Sequence, residues 1–464
     1  MAKGTITLRD WFALIGISLA TALFAIDFSI VNTALPAIQK SFSTSLVELR
    51  WVIDAFAIVL CAFLITLGRI ADVIGETKIL YASMAIFVLA SLLAGMASNV
   101  ESLIIARGFQ GLAIAGLFPS SLAIVTHIFP KEHKHLAVSL WSGASGIGLA
   151  LGPALGGFIV HFSSWRWIFL INVPTTIVAL LICVFTLRLR HIEKQAMHID
   201  GFGFVFLAIG VSCLIGSILQ IPAWGWQSPW VISLFFVGLS SIALVFVHGE
   251  KIAYPIIDVK LFSHPDYLRA SCVTGLNGFY MYASFFILPL YLHGVLHYSA
   301  LGVGFMLLPI MLCVAASAYC VGFLTRLMSM QWLLSIQLAI LLASTIMQFH
   351  FGTEREVTFR ITAFVLFGIG WGLMYSTATA YAMSSVPGNA AGVASGMFLT
   401  VRNFGGASGL AISGVVFYHI KAAELAQTNL VHAFLSGFHG VMVLLMIAVV
   451  LTTVLVWLIP KSNY

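Results

Sequence analysis

Two carboxylates and one guanidinium stand where charge is costly. Asp27 and Asp54 fall inside apolar runs, and Arg107 lies about one turn into another. A charged side chain at a bilayer centre costs at least ~2.5–3.5 kcal/mol on insertion scales, so its presence argues for function. Burial disfavours the charged carboxylate, and a nearby cation restores it. A carboxylate held between those effects can take up and release protons near neutral pH, as proton coupling requires. A buried Arg needs an anion in turn. Arg107 is therefore expected to pair with a carboxylate of the first or second span, and protonation is expected to break that pair and free the helices. Two plainer readings stand beside this one. Asp27 could be only a structural partner for a buried Arg, and Arg107 could bind carbonyls at a helix end. Asp54 lies three residues past Trp51, close to the predicted outer face, which also suits a gate or entry residue.

The elements that must hold these groups are membrane helices. Of 464 residues, 61% are hydrophobic and 8% charged, a balance foreign to soluble chains of this length. Apolar stretches of about 20 residues recur from end to end. Fourteen are expected, roughly over 11–34, 51–68, 79–98, 102–123, 136–160, 166–187, 202–220, 230–248, 269–291, 302–323, 332–350, 359–381, 396–418 and 438–459. The first is too long for a cleaved signal peptide and carries Asp27. The predicted inner loops and tails hold fourteen Lys and Arg against six outside. That bias places both termini in the cytoplasm and the chain in the cell's inner membrane. The net charge of +6 is read as this orientation signal. Its scatter over many loops excludes a nucleic-acid patch. The six cysteines lie in or beside apolar runs with no CxxC pair, and read as small buried hydrophobes.

Residues 143–157, GASGIGLALGPALGG, would break a soluble helix, since each interior Gly costs about 1 kcal/mol and Pro about 3. In a membrane, neighbouring helices re-satisfy the backbone that Pro frees. Small residues four apart, such as Gly152 and Gly156, let two helix backbones come close. The chain also repeats. The first six runs and the last six have similar lengths, and Gly68 and Gly322 end the second run of each half. The expected fold is all-α and integral to the membrane, with two six-helix bundles related by a pseudo-two-fold axis. Residues 1–190 and 266–464 form the bundles, and residues 191–265 hold an inserted two-helix hairpin with its linkers. Such a repeat suits alternating access, one half rocking against the other about a midplane cavity.

Several segments together resemble a known family. Residues 148–157, GLALGPALGG, are similar to an antiporter motif at the end of span five. Residues 68–78, GRIADVIGETK, are similar to a loop between spans two and three. Residues 103–111, LIIARGFQG, resemble a span-four motif with a buried Arg, and 26–36, IDFSIVNTALP, a span-one motif. Residues 387–409, with Gly392, Arg402, Gly405, Gly406 and Gly409, resemble a stretch near span thirteen. The family is the major facilitator superfamily, in its fourteen-span drug/proton antiporter branch. The resemblance implies a conformational latch at Gly68, Arg69, Asp72, Gly75 and Lys78. Asp72 would accept from a helix N-terminus or pair with a cation. It also implies close helix packing at Gly148, Gly152, Pro153, Gly156 and Gly157, and similar work for Arg402 at the inner end of span thirteen. Gly75 is followed by Glu76 and Thr77 where that family carries basic residues, which leaves the cation for Asp72 open between Arg69 and Lys78. The second-half counterpart, GFLTRLMS at 322–329, lacks the acid, so a looser latch or none is expected there.

A substrate cavity is expected among aromatic and Met side chains of the central spans: Trp51, Phe56, Trp141, Tyr282, Phe286, Met374, Tyr375 and Tyr381. Aromatic faces attract lipophilic cations, and Met surfaces adapt to varied shapes. The expected function is export of lipophilic, often cationic, small molecules in exchange for protons, by a single chain in the lipid bilayer. The proton gradient is the energy source and no cofactor is implied, since no GxxxxGK[ST] loop occurs. The alternative is a proton-coupled transporter dedicated to one metabolite, such as a siderophore or an amino-acid derivative. A membrane enzyme would need a convergent His or carboxylate cluster, and the sequence offers none.

Overall fold

The computed structural model describes residues 6–44, 46–187, 200–252, 261, 264–298, 300–354, 356–386, 391–425 and 428–459, with the backbone alone at some helical positions, Pro153 and Arg326 among them. These residues form helices and no strands. In chain order the helices are α1 (Leu8–Phe42), α2 (Leu46–Ile74), α3 (Glu76–Gly95), α4 (Val100–Ile128), α5 (Lys131–Phe162), α6 (Trp167–Leu170), α7 (Asn172–Thr186), α8 (Gly201–Trp224) and α9 (Pro229–Gly249). They continue as α10 (Pro265–Gly294), α11 (Ala300–Leu327), α12 (Met330–Phe349), α13 (Val357–Ser384), α14 (Ala391–Leu425) and α15 (Leu430–Leu458).

Among the described residues eleven stretches are long and apolar enough to cross a membrane, α6 and α7 counting as one. Each predicted apolar run falls on helix, and most of the helices overrun their run at one end or both. The first reaches Phe42, and α1 has 35 residues. At about 1.5 Å per residue it exceeds the ~30 Å hydrocarbon thickness. Hydropathy sees only the part that lipid surrounds, so polar helix ends escape it. The sixth predicted run is divided at Ile171 between α6 and α7.

Local chemistry sets several starts. Asn99 accepts from the Ser102 N–H at 2.8 Å, and Ser102 reaches back to the Asn99 N–H, a capping box that starts α4 at Val100. Arg107 therefore sits two turns into its helix, not one. Gly75 has φ 118° between α2 and α3, a conformation that Gly adopts without a Cβ penalty.

The packing partners of the first half recur in the second. α1 lies on α5, α2 on α4, α3 on α4 and α1 on α7. Likewise α10 lies on α14, α11 on α13, α12 on α13 and α10 on α15. Across the halves α5 meets α11 and α2 meets α14. The inserted helices α8 and α9 pack on each other, and α8 also touches α2 and α14. α9 stays peripheral, with 22% of its apolar window buried.

Glycines make two of these seams. A Cβ at Gly148 would overlap the Ala22 carbonyl, one at Gly152 the Ser29 hydroxyl, and one at Gly156 the Thr33 hydroxyl. On the other half, Gly405 and Gly409 of α14 meet the carbonyls of Gly275 and Phe279 on α10 in the same way. Gly157 departs from this pattern: its Cβ would meet nothing within 4 Å, because it is turned away from α1. The Pro153 side chain, Pro387, the linkers at 188–199 and 253–260 and the 190/191 boundary lie outside the described residues.

The loop reading also needs correction at two cations. Arg360 is not an outer-loop residue. It is 2% exposed in α13, where its Nε donates to the Tyr291 hydroxyl at 3.3 Å. Arg269 is likewise buried, in α10, with its guanidinium on Asp266 and on the Ile459 carbonyl. One cation leaves each side of the count, and the bias stands.

Candidate functional site

Asp27 and Arg107 form a buried ion pair between α1 and α4. Arg107 Nη1 lies 2.6 Å from Asp27 Oδ2, and both side chains are essentially sealed from solvent. The pair is well furnished. Asn172 Nδ2 donates to Asp27 Oδ1 at 2.7 Å, and Gln110 Nε2 donates to the same oxygen at 3.3 Å. Arg107 also donates to Gln110 Oε1 at 2.7 Å and, through Nε, to the Val52 carbonyl at 3.1 Å. Its guanidinium lies 4.2 Å above the Phe56 ring. A charge pair in a low-dielectric interior survives only with such partners. The expected span-one carboxylate is thus the one beside Arg107. Gln110 and Asn172 were missed. Gln110, one turn past the Arg in the span-four motif, was the available signal.

Asp54 belongs to a different contact. It is 3% exposed on α2, and Gln220 Nε2 of α8 donates to its Oδ2 at 3.2 Å. The inserted hairpin therefore reaches one of the two intramembrane acids. No sequence signal linked Gln220 to Asp54, since 166 residues separate them.

A cavity lies between the halves, lined from α1 by Phe24, Ala25 and Phe28, from α2 by Leu60 and Leu64, and from α4 and α5 by Phe118, Ser145 and Gly146. From α10 and α14 come Met281, Tyr282, Leu399, Arg402 and Asn403. Of the eight side chains expected there, Tyr282 lines it. Phe56 is turned under Arg107 instead. Trp141 is buried behind Phe118, its Nε1 donating to Ser121 Oγ at 3.1 Å. Phe286 packs on Phe417, Met374 is fully buried, and Tyr375 lies beneath Arg402. Trp51 and Tyr381 are half-buried away from the lining. Periodicity puts a residue on a helix face but not on the cavity side of a bundle, and α5 turns Ser145 and Gly146 inward where Trp141 was expected.

Arg402 is the larger correction. It is not at the inner end of its span but lines the cavity, with its guanidinium 4.1 Å above the Tyr375 ring and Nη2 3.6 Å from the Met281 sulfur.

The segment expected to act as a latch lies where α2 ends and α14 begins. Asp72 Oδ1 accepts from the Gly392 N–H at 2.7 Å and Oδ2 from the Val393 N–H at 2.8 Å. A helix N-terminus offers unpaired N–H groups and the positive end of its dipole. Among the described residues no cation is at ion-pair distance from Asp72. Lys78 is exposed, and the α14 terminus supplies the two donors to Asp72. Gly68 and Gly392 meet backbone to backbone, and a Cβ on either would overlap the other's carbonyl. At the same end Lys134 Nζ donates to the Met383 carbonyl at 3.0 Å, and Ser395 Oγ to that of Pro119 at 3.1 Å. The second-half counterpart is slack by comparison: a Cβ at Gly322 would meet Leu136 only at 3.8 Å.

A multi-helix membrane bundle with a buried pair, a central cavity and an interlocked end matches one family profile over residues 17–200 and 196–410. The chain belongs to the Major Facilitator Superfamily. It is a multi-pass membrane protein of this transporter superfamily. It is 29% identical over 416 residues to the multidrug resistance protein Stp of Mycobacterium tuberculosis (strain CDC 1551 / Oshkosh), covering 89% of this chain and 76% of that one. It is 29% identical to the puromycin resistance protein pur8 of Streptomyces alboniger, over 98% of this chain and 92% of the relative. With the multidrug export protein EmrB of Haemophilus influenzae it shares 28% identity, over 89% and 81%. Its fold is like that of the human organic anion transporter MFSD10 (TETRAN), with a TM-score of 0.69 at 13% identity, over 95% of this chain and 99% of that one.

Proposed function

We propose that this chain exports lipophilic, drug-like small molecules in exchange for protons, by alternating access, as a single chain of fourteen spans. In this reading two six-helix bundles rock about the cavity, the hairpin at about 191–265 packs beside them, and both termini lie in the cytoplasm of a cell whose inner membrane holds the protein. The observation that carries the reading is the sealed Asp27–Arg107 pair directly beside the cavity wall, since Phe28 lines it. Relatives named for multidrug resistance and export support the substrate class.

The cycle follows from the contacts. A deprotonated Asp27 accepts from Arg107, Gln110 and Asn172 and ties α1 to α4 and α7. A protonated Asp27 keeps its hydrogen bonds to neutral partners but loses its attraction for the guanidinium, which shifts the balance between two conformations. The Asp72 contact with the α14 N-terminus holds one end shut. Release of that contact is the step that opens it.

The test is efflux of Nile red, an uncharged lipophilic dye, from cells carrying the wild type or Asp27→Asn, with and without a proton ionophore. Efflux that the ionophore stops and Asp27→Asn removes supports the reading. Ionophore-insensitive efflux by the wild type refutes proton coupling, and efflux that survives Asp27→Asn moves the coupling role to Asp54.

A further inference from the structure

Arg402 is the one cation among the residues that line the cavity, and no carboxylate lines it with Arg402. Among the described residues its contacts are soft. A tyrosine face lies 4.1 Å below the guanidinium and a thioether sulfur 3.6 Å from one nitrogen. A guanidinium has five N–H donors in a planar fork. A π face takes none of them in a normal hydrogen bond, and sulfur is a weak acceptor. The neighbouring amide does not help. Asn403 Nδ2 is committed to the Leu399 carbonyl at 2.8 Å, and its Oδ1 accepts from the Tyr282 hydroxyl at 3.2 Å.

Arg107, the arginine of the buried ion pair, is the contrast. Arg107 is held by a carboxylate, an amide oxygen and a carbonyl. Arg402, only partly buried, faces a cavity with its fork unspent. Around it the wall is aromatic and apolar, from Phe24, Phe28, Phe118 and Tyr282. Such a wall sandwiches flat rings, and the fork matches an anionic oxygen pair.

Resting on the reading of this cavity as the substrate site, we propose that it selects aromatic compounds bearing a carboxylate or similar oxyanion, with Arg402 as the anchoring group. Lipophilic cations, expected from the aromatic content of the sequence, would meet a like charge in the cavity wall.

Three ligands with one ring system separate charge from shape: 9-anthracenecarboxylate, 9-anthracenemethanol and 9-(aminomethyl)anthracene. They are titrated calorimetrically into the full-length protein in nanodiscs, with empty nanodiscs as the blank. The wild type is expected to bind the carboxylate at least ten times more tightly than the alcohol, and the amine most weakly. Arg402→Gln is expected to abolish the preference while keeping the alcohol affinity within twofold, and Arg402→Lys to keep part of it. Equal affinities, preference for the amine, binding of none of the three, or a carboxylate preference that survives Arg402→Gln overturns the proposal. If the Gln variant does not fold, the wild-type order and the Lys variant decide alone. Export is read separately. Carboxylate binding without ionophore-sensitive efflux would fail the export reading and leave the anchoring role of Arg402 standing.

Discussion

Phe28 stacks on Tyr282, with ring centroids 5.3 Å apart and planes 21° from parallel. The contact joins α1 to α10 across the cavity, and Phe28 directly follows Asp27 in sequence. Phe28 also leans on Phe56 at 5.8 Å, and Phe56 carries the Arg107 guanidinium. The ion pair and the cavity are thus connected through two rings. An aromatic pair of this kind is worth about 0.5–1.5 kcal/mol beyond its buried area. Phe28→Ala is expected to lower efflux about tenfold without removing its sensitivity to ionophore, whereas Phe28→Tyr keeps most of it. Equal efflux by the Ala variant and the wild type in the dye assay would break this link.

The ion pair predicts an asymmetry between stability and transport. Arg107→Ala leaves a carboxylate buried without its cation, which typically costs about 3–5 kcal/mol. A double variant, Asp27→Asn with Arg107→Met, removes both charges. It is expected to recover much of the thermal stability that Arg107→Ala loses, while efflux stays absent. Melting curves of the purified variants check the first half and dye efflux the second. Recovered transport in the double variant would reduce the pair to a packing element.

Much of this was legible in the sequence, and the gaps have physical causes. The spans follow from hydropathy and the Asp27–Arg107 pair from a simple rule, that charge inside an apolar run demands a partner; the Asp72 latch was implied by the family resemblance. The rule says nothing of uncharged partners, so Gln110, Asn172 and Gln220 stayed hidden among ordinary polar residues. Arg402 was seen but misplaced. Its helix starts at Ala391, before the predicted run of 396–418, so Arg402 stands three turns in and lines the cavity instead of marking the end of the span. The cavity lining was the least legible. Phe24 and Phe118 look no different from the many aromatic residues that face lipid, and only the packing of six helices selects them.

Asp72 caps α14 from another helix. Loss of an N-cap acceptor costs about 0.5–2 kcal/mol. With two N–H groups released, Asp72→Ala is expected to loosen the end where α2 meets α14. Spin labels on cysteines placed at Lys78 and Ser384, both exposed, with Cys320 replaced, report the gap between the halves. The distance distribution is expected to broaden towards longer values in Asp72→Ala. An unchanged distribution in Asp72→Ala removes the latch.

Asp54 and Gln220 predict a role for the inserted hairpin. If their 3.2 Å contact matters for transport, Asp54→Asn and Gln220→Leu damage the same interaction and their effects on efflux do not add. Each single variant is expected to lower efflux, and the double variant to be no worse than Asp54→Asn. Multiplying losses in the cycle would mean that α8 only packs against α2.

The glycines of α5 permit a paired test in which one residue type has two outcomes within a single helix. A Cβ at Gly152 would overlap the Ser29 hydroxyl and come within 2.9 Å of the Ile30 nitrogen, whereas one at Gly157 meets open space. Overpacking a tight contact costs about 1–3 kcal/mol. Gly152→Ala must therefore push α5 off α1, which also carries Asp27 and Phe28, and efflux is expected to fall more than tenfold with a lower melting temperature. Gly157→Ala fills space rather than displacing a neighbour, and replacing Gly in a helix stabilises it by up to about 1 kcal/mol. Its efflux is expected to match the wild type and its melting temperature to hold or rise. Both variants insert the same methyl group five residues apart. A difference between them therefore reports the α1–α5 contact itself, and equal loss in both would show that the segment serves transport by flexing rather than by close packing.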